Sequence, residues 1–207
     1  VSVIYDISPI LSNKTPVWPG DTPLSRSVLL SIANGANIDL STLNSTVHIG
    51  AHADAPSHYL VDGADIADVP LEPYIGECCV IFVPNQKAIG PEHLQIVAKN
   101  KSSRVIIRTD SFDHNSPFNK DFSYLKPTAV SFLAELGVCL IGIDTPSFDA
   151  FDSKDLPSHQ ELGKRNIYNI EGLCLSGIEP GIYEFIGLPL KLKGFDASPI
   201  RAILRSR

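Results

Sequence analysis

The runs "RVIIRT" (104–109) and "VCLIGID" (138–144) are apolar almost throughout and lie on either side of "PTAVSFLAELG" (127–137). A strand without apolar–polar alternation has to be covered on both faces, as in the interior of a parallel sheet. The segment between them reads as a helix, with Pro127 suited to its first turn and Gly137 to its C-terminal cap. Strand, helix, strand in this order is a right-handed crossover joining two parallel strands. That unit commits the chain to an α/β architecture with helices packed on a buried sheet.

The remaining chain is rich in strands. "VSVIYDI", "SVLLSIA", "STVHIG", "CVIFV", "NIYNIEGL", "YEFIGLPL" and "IRAILR" carry Val, Ile, Leu and Phe and are bounded by Gly, Pro, Asn and Asp. A second helix is expected over "PEHLQIVAKN" (91–100), with Pro91 in its first turn. No repeat or Pro/Gly/Ser linker divides the 207 residues. The expectation is therefore one strand-rich, mixed α/β domain over residues 1–207, large enough to hold a real core. The polar segment 111–126, "SFDHNSPFNKDFSYLK", is long enough to be functional and equally fits a surface excursion.

Several partner classes fall away on composition. The formal net charge of −6 disfavours nucleic acid. The basic stretch "KLKGFDASPIRAILRSR" reads as the solvated surface of a last strand. No apolar run approaches the ~20 residues that span a bilayer, so no membrane partner is expected. The start, "VSVIYDISPI", lacks the basic region and apolar core of a signal peptide. Cys78, Cys79, Cys139 and Cys174 form no C-x-x-C pair, and buried, reduced thiols suit a cytoplasmic setting.

The stretch "STVHIGAHADAPSHYL" (45–60) holds three of the six histidines and an aspartate: His48, His52, Asp54 and His58. All four are even-numbered, so an extended chain puts them on one face. Apolar Val47, Ile49, Ala51, Ala53 and Ala55 fall on the other. A helix would separate them, and Gly50 and Pro56 disfavour one. Four extended residues span roughly 13 Å, too far for two nitrogens to share an ion. Gly50 permits the bend that would bring His48 and His52 together, and Pro56 turns the chain towards His58. Three imidazoles and a carboxylate buried together would cost several kcal/mol without a partner. A divalent cation satisfies them at once, Zn²⁺ first, with Mn²⁺ or Fe²⁺ also fitting His and carboxylate donors.

Further ligands are expected in "DTPSFDAFDSKDLPSHQELGKRNIYNIEGL", where His159 and Glu171 stand out. Asp144 follows an apolar strand, the end at which α/β proteins place functional groups. Spacing alone does not rank His159 above His93 or His114. His93 lies among charged residues and is expected to be exposed, while His114 in its polar loop fits either role.

"HIGAHADAPSH" resembles the H-x-G-T-H-x-D-x-P-x-H motif of the cyclase-like metal-dependent hydrolases, and among these the bacterial kynurenine formamidase (arylformamidase) group. "DISPILSNKTPVWPGDTP", "LIGIDTPSFD", "IEGL", "YEFIGLPLKL" and "DASPIRAIL" extend the likeness over essentially the whole chain. Ala51 departs from the motif's usual Thr. The resemblance implies a swivelling β/β/α fold, a homodimer and two zinc ions per chain. His48, His52 and Asp54 match the ligands of one ion, and Asp54 also reaches the second. His159 matches a ligand of that second ion, and Glu171 serves both. His58 matches the catalytic acid/base and Trp18 a substrate contact, although Trp18 alone reads as a packing aromatic. The implied reaction is hydrolysis of an aromatic formamide, N-formyl-L-kynurenine, to L-kynurenine and formate by metal-activated water. The alternatives are a cyclic- or aryl-amide hydrolase of the isatin-hydrolase kind, or a metal-binding module without catalysis. The absence of a G-x-S-x-G elbow disfavours a serine mechanism.

Overall fold

The apolar strands assemble into one nine-stranded sheet in a computed structural model that describes residues 2–206. Its centre is parallel: β5 (Ile75–Phe82), β7 (Arg104–Arg108), β9 (Leu140–Ile143) and β10 (Tyr168–Glu171) lie side by side. Helix α2 (Pro127–Glu135) connects β7 to β9, with Ile106 opposite Gly142 in the register. The crossover expected from the apolar runs is thus the middle of the sheet.

Antiparallel strands extend both flanks. On one side β5 pairs with β11 (Gly181–Ile186), then β13 (Ile203–Arg205) and β1 (Ile4–Asp6). On the other, β10 pairs with β4 (His52–Asp54), which pairs with β12 (Ala197–Pro199). The strand pleat divides the core in two. Cys78, Val80, Ile106, Leu140 and Ile170 pack with Ala53 and Phe185 on one face. Cys79, Ile81, Val105, Ile107 and Ile141 pack on the other, under Val97 of α1 (Gln95–Asn100), Val130 and Leu133 of α2, and Leu162 of α3 (Pro157–Arg165). Cys78 and Cys79 are buried on opposite faces, Cys139 and Cys174 are half-buried, and all four are free thiols.

Three local expectations are corrected, and one helix is added. "STVHIG" is not a strand: Gly50 adopts φ +57° and pairing begins only at His52. The helix expected over 91–100 is split into a 3-10 turn, Pro91–His93, and the short α1. Helix α3 has no apolar periodicity to announce it, because Leu162 is its one buried apolar side chain. "SVLLSIA" is strand only in its first half, as part of β2 (Ser25–Leu30), which pairs with β3 (Leu40–Asn44) in a separate hairpin, as the short β6 (Ala88–Ile89) and β8 (Tyr124–Leu125) pair apart from the main sheet. Among the described residues, no helix is long and apolar enough to cross a membrane.

Candidate metal centre

The flank β10–β4–β12 builds the site. Antiparallel pairing sets His52 directly opposite Glu171, and Asp54 opposite Ala197. His52 and Asp54 lie two residues apart and share a face, while Ala53 between them enters the core. Left-handed Gly50 bends the preceding chain so that the rings of His48 and His52 come to 5.1 Å. A Cβ at Gly50 would meet side-chain tips, chiefly that of the exposed Leu11, so it is the left-handed backbone that favours glycine here. His159 enters from the first turn of α3. The backbone N–H groups of Ser158 and His159 donate to Asp149, and so does His159 Nδ1–H, at 2.7 Å.

These elements bring three imidazoles and two carboxylates to one point. His52 Nε2 lies 3.5 Å from Asp54 Oδ1 and 3.4 Å from Glu171 Oε2. His159 Nε2 lies 3.0 Å from Glu171 Oε1 and 3.5 Å from Asp54 Oδ2. His48 Nδ1 lies 3.1 Å from Asp54 Oδ1. Donor atoms of His52, Asp54 and Glu171 fall within 4.8 Å of one another, and so do those of His48, Asp54 and His58. Asp54 belongs to both groups. His58 therefore stands inside the cluster's reach, exposed on the 3-10 turn Pro56–His58.

The donor set fits a cation on two observations. His52 Nδ1–H donates to Gly50 O at 2.9 Å, so in the neutral ring the lone pair is on Nε2. That nitrogen faces two carboxylates, and neither it nor Asp54 Oδ1, both buried, has a hydrogen-bond partner. A lone pair aimed at carboxylate oxygens is repulsive unless a positive charge stands between them. The second observation is the outer layer. Asp149 orients His159, Asn169 donates to Asp54 Oδ2 at 2.7 Å, and Phe148 N–H donates to Glu171 Oε1 at 2.9 Å. Ligands of metal ions are held by such partners.

The electrostatics match. Burial opposes charge at His48, yet the carboxylates of Asp196 and Asp54 beside it lift its pKa to about 10. Burial likewise opposes charge at His159, and Asp149, Asp54 and Glu171 raise it well above the usual value. Asp54 and Glu171 are held ionised against their burial by the surrounding imidazoles, although at Glu171 the charge of Asp54 also opposes ionisation. The cluster is thus a paired-charge network in which protons occupy positions where a cation would be held.

A cavity of about 660 Å³ opens above it. His48, His52, His58, His159 and Glu171 line its floor, and Trp18, Phe112 and Phe118 its side. Trp18 stacks on Phe151 at 4.8 Å and meets Phe118 edge-on at 5.5 Å. Segment 111–126 accordingly gives Phe112, His114 and Phe118 to the cavity, while much of the rest of it is exposed. Asp144 lies outside the cluster: it accepts the N–H and hydroxyl of Thr109 and the N–H of Asp110, pinning the end of β7. His93 is half-buried rather than exposed, accepting the Gly90 N–H at 3.0 Å. His114 lines the cavity, where its Nε2–H donates to Leu173 O at 3.1 Å. Asp149, Asn169 and Asp196 also contact the cluster, and no spacing in the sequence points to them. Asp196 lies in the basic stretch taken for plain surface, within "DASPIRAIL", whose family likeness was the one available signal.

Fold and cluster together define a class: a mixed α/β protein whose cavity ends on buried histidines and carboxylates spaced to hold divalent cations. Residues 5–150 match the model of the putative cyclase family, and the chain belongs to that family. It is 43% identical over 203 residues to kynurenine formamidase from Bordetella avium (strain 197N), covering 98% of this chain and 97% of that one. A predicted metal-dependent hydrolase from Bacillus stearothermophilus has the same fold, with a TM-score of 0.85 at 26% identity over 100% of both chains. Isatin hydrolase A from Ralstonia solanacearum shares the fold alone: TM-score 0.84, 22% identity, 100% of this chain and 92% of that one.

Proposed function

We propose that this protein is a metal-dependent arylformamidase that hydrolyses N-formyl-L-kynurenine to L-kynurenine and formate. The observation that carries the reading is the pair of buried atoms without a hydrogen bond, His52 Nε2 and Asp54 Oδ1, beneath an aromatic-walled cavity. His48, His52, Asp54, His159 and Glu171 would hold two ions, with Asp54 and Glu171 shared. Donors of nitrogen and oxygen without sulfur suit Zn²⁺, and Mn²⁺ or Fe²⁺ next. When bound, such a cation supplies a nucleophile at neutral pH and polarises a carbonyl.

The chain's own residues do the rest. Trp18, braced by Phe151 and Phe118, offers a flat wall to the aryl ring. An aniline nitrogen is a poor leaving group until it takes up a proton. His58 lines the cavity beside the cluster and holds that proton for the departing nitrogen.

Free thiols support a reducing, cytoplasmic setting. The exposed apolar side chains of the β2–β3 hairpin, Leu29 and Leu43 among them, support a homodimer, which sedimentation velocity measures. The test of the activity is elemental analysis alongside turnover of N-formylkynurenine and of isatin, before and after chelation. The expected result is about two transition-metal ions per chain and formamide turnover that chelation abolishes. An active sample without transition metal, or turnover of isatin in place of the formamide, would overturn the assignment.

A further inference from the structure

His58 and His48 meet at a carboxylate to which no role has yet been given. Asp196 Oδ2 lies 3.3 Å from His58 Nδ1 and 2.9 Å from His48 Nε2, and the two rings are 4.3 Å apart. A carboxylate oxygen only accepts, so both nitrogens facing it carry protons. The position of Asp196 is fixed by backbone. Its carbonyl accepts the Ala55 N–H at 2.8 Å, the neighbouring Phe195 carbonyl accepts the Ile66 N–H at 2.9 Å, and Ala197 pairs with Asp54 in the β12–β4 ladder. Asp196 is therefore held rigidly to the strand and turn that carry Asp54 and His58.

We propose that Asp196 is a positioning residue that holds His58 in the tautomer with its proton on Nδ1, leaving Nε2 to exchange protons with the substrate. The inference rests on formamide hydrolysis with His58 as the acid/base. The logic is that of any imidazole whose tautomer and orientation are set by a carboxylate on its far nitrogen. The same oxygen orients His48, so the acid/base and one proposed ligand share a single anchor. Nδ1 of His48 is left to the cluster, 3.1 Å from Asp54. The competing description is a surface ion pair, since the Asp196 side chain is 48% exposed. A pair of that kind would contribute little and would dictate no tautomer.

The experiment is ¹⁵N-detected imidazole NMR of the zinc-loaded protein, above the His58 titration, with kcat, KM and metal content for the wild type, D196A, D196N, H58A and D196A/H58A at saturating zinc. The wild type is expected to show His58 protonated on Nδ1. D196A should lose that signature, and kcat should fall about 10- to 100-fold, the usual cost of an outer orienting partner, with KM little changed. D196N keeps an oxygen that accepts from Nδ1–H and should recover part of the loss. On the H58A background, D196A should cost far less than on the wild type, because the group it orients is gone. Wild-type His58 protonated on Nε2 would overturn the inference. So would an unchanged kcat in D196A, or an equal fold-loss with and without His58. The tautomer is read without substrate, whereas formamide hydrolysis is tested by wild-type turnover, so failure of one is distinct from failure of the other.

Discussion

Gly172, next to Glu171, is the position where the geometry of the cluster is most sensitive to one added carbon. Its φ is +66°, and a Cβ there would lie 2.1 Å from Gly50 O and 2.8 Å from Gly50 C. The obstacle is backbone, so no rotamer change relieves it. The glycine has little room to retreat, because its N–H donates to Thr145 O at 2.8 Å and the next N–H to Ile143 O at 3.1 Å. Gly172→Ala should cost roughly 1–2 kcal/mol for the left-handed backbone and about 1–3 kcal/mol for overpacking. The total of about 2–5 kcal/mol corresponds to a Tm lower by about 4–20 °C in a chain of this size. Gly177 isolates the second contribution, since its φ is +77° with nothing within 4 Å of the added carbon. Gly177→Ala should lose only the backbone part, about 2–8 °C. Gly172→Ala should also hold metal more weakly, because the strain separates the His48–His52 bend from Glu171. Thermal unfolding of both variants with and without zinc, and zinc titration of each, make the test. If Gly172→Ala melts with Gly177→Ala and binds zinc like the wild type, the close approach of β10 to the Gly50 bend does not shape the site.

The other expectations are read from the same site and core. His52→Ala should lose metal and activity together, whereas His58→Ala should keep its metal and lose roughly 10²–10⁴-fold in kcat; metal content and kcat measured side by side decide. If His58→Ala loses metal as His52→Ala does, His58 is a ligand, as its place beside His48 and Asp54 allows. Trp18→Ala removes the wall stacked on Phe151 and should lower kcat/KM about 10- to 100-fold at constant metal content; an unaltered kcat/KM in a folded variant returns Trp18 to packing alone. Lys154 lines the cavity and makes no ion pair among the described residues. Lys154→Gln should therefore raise KM for carboxylate-bearing N-formylkynurenine and not for uncharged formanilide, and equal effects on both would refute a contact with the carboxylate. Burial pushes the Cys78 thiol up to about 12, so a thiol reagent at neutral pH should label it only after unfolding; rapid labelling of native Cys78 would contradict the core assignment.

The parts of this architecture legible in the sequence are those with short-range causes. Continuous apolar character set β7 and β9 in the sheet interior, and Pro127 and Gly137 bounded α2. Parity grouped His52 with Asp54, and the bend at Gly50 followed from the reach of an extended chain. The failures have physical reasons as well. Helix α3 buries Ser158, His159 and Leu162, so its inward face carries almost no apolar signal. Strand β12 is three residues long and ends in Pro199, a residue that sequence reasoning excludes from strands away from an edge; β12 is an edge strand. Asp144 looked functional because it ends an apolar strand, but its oxygens are taken up by Thr109 and Asp110.

The outer layer of the cluster was the least legible, because pairing between distant segments creates it. Asn169 reaches Asp54 across 115 residues of sequence, and Asp196 reaches His58 across 138. Both contacts follow from one arrangement, in which β4 is sandwiched between β10 and β12. β10 then brings Asn169 and Glu171, two residues apart on one face, against His52 and Asp54. β12 delivers Asp196 at the point where the chain leaves Asp54 for the His58 turn. A three-residue strand with neighbours on both sides thus fixes the spacing of carboxylates and imidazoles from three separate stretches of chain. Sequence periodicity reports the face a residue occupies within its own strand. It carries no signal for which strand will lie alongside, and the partners of His58 and Asp54 are set by that choice.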